Sequence, residues 1–241
     1  MTDTSSVELE KRCADALAAS ITARKASVRE RATWLQAMAS ALDEHVDELV
    51  QVATRETHLG RDRLVGEVAR TSGQLRHLAN VIDEGSFLEV TIDHARESTA
   101  PRLPDLRRML IPLGPVAVFS ASNFPFAFSV AGGDTASAIA AGCSVVVKAH
   151  SGHPELSRLT TKIVTRALDE AGAPHGLLSL VESTGAGVAL VRHPVIRAVG
   201  FTGSLAGGRA LFDLASSRPD PIPFFGELGS INPVVITPEA D

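Results

Sequence analysis

Apolar positions along the chain follow two different periods. From Val7 to Ile82 they recur at helical spacing. Leu9, Cys13, Leu17 and Ile21 stand four apart and predict a helix over Val7–Thr22 with these residues on its inner face. Val28, Ala32, Leu35, Ala39, Leu42, Val46, Leu49 and Ala53 alternate steps of four and three, which predicts one long second helix. Gly60 breaks the pattern, and Leu64, Val68, Leu75, Leu78 and Ile82 mark a third.

Over Phe87–Ile111 the period shortens. Leu88, Val90 and Ile92 alternate with Glu89, Thr91 and Asp93, as in a half-exposed strand. A loop containing Pro and Arg (His94–Asp105) leads to a second run, Leu106–Ile111. Two strands so connected form a hairpin outside the main fold. A lone hairpin is marginal in water, so it is expected to lean on another domain or another subunit.

From Gly114 onward short apolar runs alternate with helical stretches. The expected strands are Val116–Phe119, Ser144–Lys148, Leu177–Val181, Ala198–Phe201 and Phe224–Leu228. The expected helices are Phe126–Ala141, Pro154–Ala171, a short Gly187–Arg192, and Ser204–Ala215. Such alternation implies right-handed crossovers and a parallel sheet covered on both faces. The centre of this pattern is Gly114-Pro-Val-Ala-Val-Phe-Ser-Ala-Ser-Asn-Phe-Pro125, a buried strand feeding a polar loop that Pro125 holds extended. Ligands of open α/β sheets bind at the carboxyl ends of strands, where Asn123 and Lys148 fall. The first strand is not followed by Gly-x-Gly-x-x-Gly, so the ordinary dinucleotide fingerprint is missing.

Composition narrows the class. The 241 residues are 44% apolar and 4% aromatic, with a net charge of −5. An acidic chain without a Lys/Arg run does not suit nucleic acid or an anionic membrane surface. No apolar run reaches the ~18 residues of a membrane span. The first residues carry neither the basic nor the apolar part of a signal peptide. Cys13 and Cys143 are too few and too far apart for a disulfide framework, which points to a reducing, cytoplasmic compartment. Cys13, on its helix's apolar face, reads as a small core residue.

The wording of the second half resembles the NAD(P)-dependent aldehyde dehydrogenases. The resemblance is carried by Pro112-Leu-Gly-Pro-Val-Ala-Val-Phe-Ser-Ala-Ser-Asn-Phe-Pro125, Ser129-Val-Ala-Gly-Gly-Asp-Thr-Ala-Ser-Ala, Val145-Val-Val-Lys148, Gly200-Phe-Thr-Gly-Ser204 and Gly226-Glu-Leu-Gly229, in register. Lys148-Ala-His-Ser-Gly-His-Pro and Glu227-Leu-Gly-Ser-Ile-Asn-Pro look most like the NADP-using branch with the 2-oxoglutarate semialdehyde (2,5-dioxopentanoate) dehydrogenases. The resemblance spans about 7–236 in helix layout and is specific over 106–236. It implies an α/β fold: a Rossmann-like parallel sheet with helices on both faces, N-terminal helices and a projecting β-hairpin. Residues 1–85 and 112–241 would form the dinucleotide-binding domain, and 86–111 the contact with another domain or subunit of a homo-oligomer.

By the same resemblance, Asn123 donates its side-chain amide to the oxyanion formed when a cysteine thiolate attacks a small aldehyde. Such a preorganised donor is typically worth ~10²–10³ in rate. An Asn that merely turns the chain before Phe-Pro is the plain alternative. Glu227 corresponds to the base that activates the hydrolytic water, a solvated carboxylate at a strand terminus being the plain alternative. It is expected to end a buried strand, where desolvation would raise its pKa and make it a usable base. Lys148 reaches the adenosine ribose. Ser151 stands where many NAD-preferring relatives have a glutamate, so NADP is favoured over NAD. Ser204 opens a helix, as a pyrophosphate site, an ordinary N-cap, or both. Gly185 and Gly187 let the backbone pass close to the adenine. Phe119, Ser120, Ser122, Gly203 and Leu228 complete the cofactor contacts. Cys143, His150 and His153 lack the paired spacing of structural zinc, so no metal is expected.

The family's nucleophilic cysteine lies several tens of residues beyond the glutamate. The expectation is therefore an N-terminal half, inactive alone, with the catalytic domain absent or carried by a separate C-terminal half. A non-catalytic dinucleotide-binding module is the competing reading.

Overall fold

The computed structural model describes residues 3–98, 100–229, 233 and 235–237. The chain opens with α1 (Ser6–Ala23), α2 (Val28–Glu44), α3 (Val46–Thr57) and α4 (Arg61–Glu84). Ser27 and Glu30 form a reciprocal capping box that starts α2. Two expectations change here. The 28–53 face belongs to two helices, because His45 leaves the helical conformation and Asp47 and Glu48 supply the acidic first turn of a new one. Leu49, Val50 and Ala53 stay buried across that break, which is why the spacing gave no warning. In α1 the buried stripe is Leu9, Cys13, Ala16, Ala19, Ser20 and Ala23, whereas Leu17 and Ile21 are exposed. Small side chains let this helix lie close to the sheet edge.

The segment after α4 forms a separate two-stranded sheet of β1 (Thr91–Asp93) and β2 (Leu106–Arg108), antiparallel with Thr91 opposite Arg108. The first strand is shorter than expected, since Ser86–Leu88 forms a 3-10 turn. Val90, Ile92, Leu106, Met109, Leu110 and Ile111 are all exposed.

The main sheet contains β3 (Val116–Phe119), β4 (Val145–Lys148), β5 (Leu178–Val181), β6 (Ala198–Thr202) and β7 (Phe224–Glu227). All pairs are parallel, in the order β5-β4-β3-β6-β7. The crossovers are α5 (Gly133–Ala140), α6 (Pro154–Glu170), α7 (Thr184–Arg192) and α8 (Leu205–Ser216). Alternate strand residues feed two cores. Val116, Val118, Val145 and Val147 pack toward α2 to α6. Ala117, Phe119, Val146, Val181 and Val199 pack with residues of α1, α7 and α8. Fully burying one such valine is worth about 1.5–3 kcal/mol, so the central strands are strongly held.

The helix expected from Phe126 begins only at Gly133. The stretch 124–132 folds as successive turns. A Cβ on Gly132 would stand 2.3 Å from the carbonyl oxygen of Ala127, so that close return of the backbone needs glycine. The helix expected at Gly187 begins at Thr184, where Ser183 accepts a hydrogen bond from the Ala186 amide. β7 is an edge strand, not a buried one: Phe225 is 61% exposed, and Glu227 is exposed as well. Among the described residues no helix is long and apolar enough to cross a membrane.

Candidate active site

Chain order and strand order reverse at β3. The chain moves outward through β4 and β5, then returns to β6 on the other side, so a crevice opens at the carboxyl ends of β3 and β6. A cleft of about 970 Å³ occupies that position. Phe119, Ser120, Ser122 and Asn123 line it after β3, Lys148 and His150 after β4, Gly203 and Ser204 after β6, and Glu227 at the end of β7.

The loop after β3 is pinned without regular structure. Ser120 donates its amide to the Lys148 carbonyl at 3.1 Å, and Ala121 donates to Phe128 at 2.8 Å. The fully buried His153 approaches the Ala121 carbonyl from Nε2 at 2.8 Å. A carbonyl only accepts, so Nε2 carries the proton and Nδ1 faces Ser157. His150 stacks on His153 with ring centroids 5.6 Å apart, and its Nδ1 accepts from the Gly152 amide. Burial, then His153 and Lys148, push the His150 pKa down.

Lys148 is half-buried at the end of β4, and burial lowers its pKa. It shares a sheet face with Phe119 and Phe201, by the registers Phe119↔Lys148 and Phe119↔Phe201. The two rings lie 6.1 Å apart and make an aromatic floor. Ser204 is the N-cap of α8, accepting from the Gly207 amide at 3.2 Å. The positive end of that helix therefore opens onto the cleft. Val188 of α7 and Leu211 and Leu214 of α8 add an apolar slot. A cation, a helix N-terminus and an apolar slot arranged in this way fit a dinucleotide. The fit extends to Gly187, which leaves room where Lys148 and Phe119 pass α7.

Four expected contacts do not reach the wall. Ser151 lies on an exposed turn, and Gly185 is exposed with nothing near its missing Cβ. Gly187 packs beneath the cleft. Leu228 folds over α8: a Cβ on Gly208 would fall 1.9 Å from its Cδ2. Ser230, Ile231 and Asn232, which carried the branch resemblance, lie outside the described residues.

Glu227 lacks the burial expected of it, because β7 is the sheet's edge. Its surroundings contain a second carboxylate, Asp134, which lies inside the Ser129-Val-Ala-Gly-Gly-Asp motif but is given no role by it. In the register of β6 and β7, Thr202 pairs with Glu227 and Gly200 with Phe225. Gly200, Thr202, Phe225 and Glu227 thus share one face. Asp134 of α5 packs on that face, its Cβ 3.2 Å from where a Gly200 Cβ would be. Burial first, then the charge of Glu227, raise the Asp134 pKa against the opposing Thr202 hydrogen bond. With the helix expected from Phe126, Asp134 falls mid-helix, and its place in the first turn beside β6 and β7 is a tertiary feature.

Both cysteines lie elsewhere. Cys143 is 3% exposed and precedes the amino end of β4, five residues before Lys148, about 16 Å of extended chain at ~3.3 Å per residue. Cys13 is fully buried, and burial, with a smaller push from Glu10, raises its pKa to about 12.

The aldehyde dehydrogenase family model matches residues 1–241. The alpha-ketoglutaric semialdehyde dehydrogenase of Acinetobacter baylyi is 49% identical over 214 residues, covering 88% of this chain and 40% of that protein. Alpha-ketoglutaric semialdehyde dehydrogenase 2 of Azospirillum brasilense is 48% identical over 237 residues, covering 97% and 45%. A crystal structure of an NAD-dependent benzaldehyde dehydrogenase from Corynebacterium glutamicum superposes with a TM-score of 0.80 at 25% identity, covering 95% of this chain and 47% of that one. The chain spans less than half the length of these relatives.

Proposed function

The chain belongs to the aldehyde dehydrogenase family, and from that premise we propose that it supplies the nucleotide-binding half of an NADP-dependent enzyme that oxidises a semialdehyde to the carboxylic acid. The observation that carries this reading is the meeting of Asn123, Lys148, Ser204 and Glu227, from four different strand ends, around one cleft. Relatives named for alpha-ketoglutaric semialdehyde favour an aldehyde that bears a carboxylate.

When bound, the nicotinamide accepts hydride from the substrate. The chain's own residues bind, orient and handle charge. Lys148 holds the adenosine ribose and a 2′-phosphate, and the α8 N-terminus with Ser204 faces the pyrophosphate. Asn123 donates to the oxyanion, in a role worth ~10²–10³ in rate. Glu227 takes the proton of the hydrolytic water. Its exposure on β7 leaves it reachable by that water. The reactive thiolate comes from outside this cleft's residues, since Cys13 and Cys143 are buried away from it. A cytoplasmic setting suits two free thiols. The exposed apolar residues of the hairpin suit contact with another domain, a separate second half or a second subunit.

NADP over NAD is supported by Lys148 in the cleft wall and by the sequence position of Ser151, where many NAD-preferring relatives carry a glutamate, its side chain standing outside that wall. Fluorescence titration of the chain with the two nucleotides tests this, with tighter binding of NADP expected and a preference for NAD overturning it. Buried cysteines equally suit a second reading, a binding module without turnover. Nucleotide binding that persists when no added second half restores activity would favour it.

A further inference from the structure

Asn123 sits in an irregular loop, yet one helix outside the sheet holds that loop at two points, before and after Pro125. Arg63 and Glu67 are one turn apart on α4 and project to the same side. Arg63 donates from Nη2 to the Asn123 carbonyl at 2.6 Å, and its guanidinium lies 5.1 Å over the Phe124 ring. Glu67 accepts at Oε1 from the amides of Phe126 at 2.8 Å and Ala127 at 3.0 Å. Between these anchors stands Pro125, buried, with its φ fixed and no amide to offer.

Glu67 is an unusual choice for this task. It is 5% exposed, and its Oε2 has no hydrogen-bond partner among the described residues. Burying a carboxylate with one oxygen unmatched is costly, and a neutral side chain would satisfy the same two amides. Groups kept at such a cost collect where geometry must be held for function. The backbone at Asn123 is fixed from its own carbonyl and from the amides three and four residues on. The Asn123 side chain, exposed at the cleft, is left free to point at a ligand.

We propose that Arg63 and Glu67 are positioning residues for Asn123, and that α4 thereby sets where the oxyanion donor stands. The inference rests on the role given to Asn123 above.

The test is NMR and hydrogen exchange on the chain with Glu67→Ala, Glu67→Gln and Arg63→Ala. In Glu67→Ala the amides of Phe126 and Ala127 should exchange at least about tenfold faster, while Val118 and Val147 keep their protection. The side-chain amide signals of Asn123 should move in Glu67→Ala and in Arg63→Ala. Glu67→Gln, which keeps an acceptor oxygen of equal reach, should return them toward the parent positions. Asn123 signals that stay in place in Glu67→Ala would overturn the proposal, as would a Glu67→Gln variant that restores nothing. Loss of protection at Val118 and Val147 as well would make Glu67 a packing residue and equally sink it. Titration of the same samples with NADP keeps the two readings apart. Absence of nucleotide binding would undo the proposed function while leaving the exchange result to judge the brace.

Discussion

Lys148 and Gly187 are packed so closely that a single methyl group would press on both Lys148 and the aromatic floor. A Cβ at position 187 would stand 3.2 Å from Lys148 Cγ and 3.1 Å from Phe119 Cε1. Because Gly187 lies inside α7, alanine there favours the helix by roughly 0.5–1 kcal/mol. The two effects oppose each other, and they separate by measurement. Gly187→Ala should weaken NADP binding about tenfold, a cost of ~1.4 kcal/mol, with the urea midpoint unchanged or raised. Parent affinity in Gly187→Ala would show that the ammonium's position does not matter to the nucleotide.

Asp134 gives a pH dependence with a definite sign. Its folded pKa is raised above the ordinary 3.8 by burial and by Glu227. The folded chain therefore holds this proton more tightly than the unfolded chain does. The resulting stability is fully present below pH 3.8 and is lost as pH rises through the folded value. Asp134→Asn keeps a group able to bond Thr202 and has no charge to lose. Urea denaturation across that acid range should show a shallower fall with rising pH in Asp134→Asn than in the parent. Glu227→Gln, which removes the charge that adds to the effect of burial, should flatten the slope in part. An unchanged slope in Asp134→Asn would show that Asp134 is not strained by its surroundings.

Strands were legible where residues are buried on both faces. Val116–Phe119 and Val145–Lys148 are apolar because both sheet faces are covered, and the apolar run ends where the cover ends. The Phe224–Glu227 run looked the same in sequence yet lies at an edge, since a short apolar run does not say whether a neighbour covers it. The turns at 126–132 look helical in sequence because Ala, Ser and Gly do not oppose a helix, and the close return at Gly132 that forbids it is a tertiary contact. Asn123, Lys148, Ser204 and Glu227 were found through their motif context. Their supports were not: Glu67 reaches the loop of Asn123 across 59 residues, and Asp134 and His153, though inside the quoted motifs, act through tertiary contacts that spacing does not show.

The two proposed chemical roles make different kinetic traces. In the active enzyme containing this chain, Asn123→Ala should slow the first, acylating phase by about a hundredfold or more. Glu227→Gln should leave that phase intact and slow hydrolysis, so NADPH appears in one rapid burst and then stalls. Stopped-flow absorbance of NADPH separates the two. Steady turnover unaffected by Glu227→Gln would remove Glu227 from the water-activating step.

The cysteines bear on what this chain does by itself. A nucleophilic thiol must be exposed to its substrate and available as thiolate. Cys13 is fully buried with its pKa pushed up to about 12, so its thiolate is scarce at neutral pH. Cys143 lies before β4, at the far end of the strand from Lys148 and the cleft. Native chain treated with a thiol reagent should therefore react slowly at both positions and at once after unfolding. With NADP and short semialdehydes it should form no NADPH, and the Cys143→Ser variant should behave as its parent does. Adding a separately expressed second half that carries an accessible cysteine should restore NADPH formation. Turnover by this chain alone that vanished in Cys143→Ser would place the nucleophile at the closed end of the sheet, and the assignment of Asn123 to the oxyanion would fall with it.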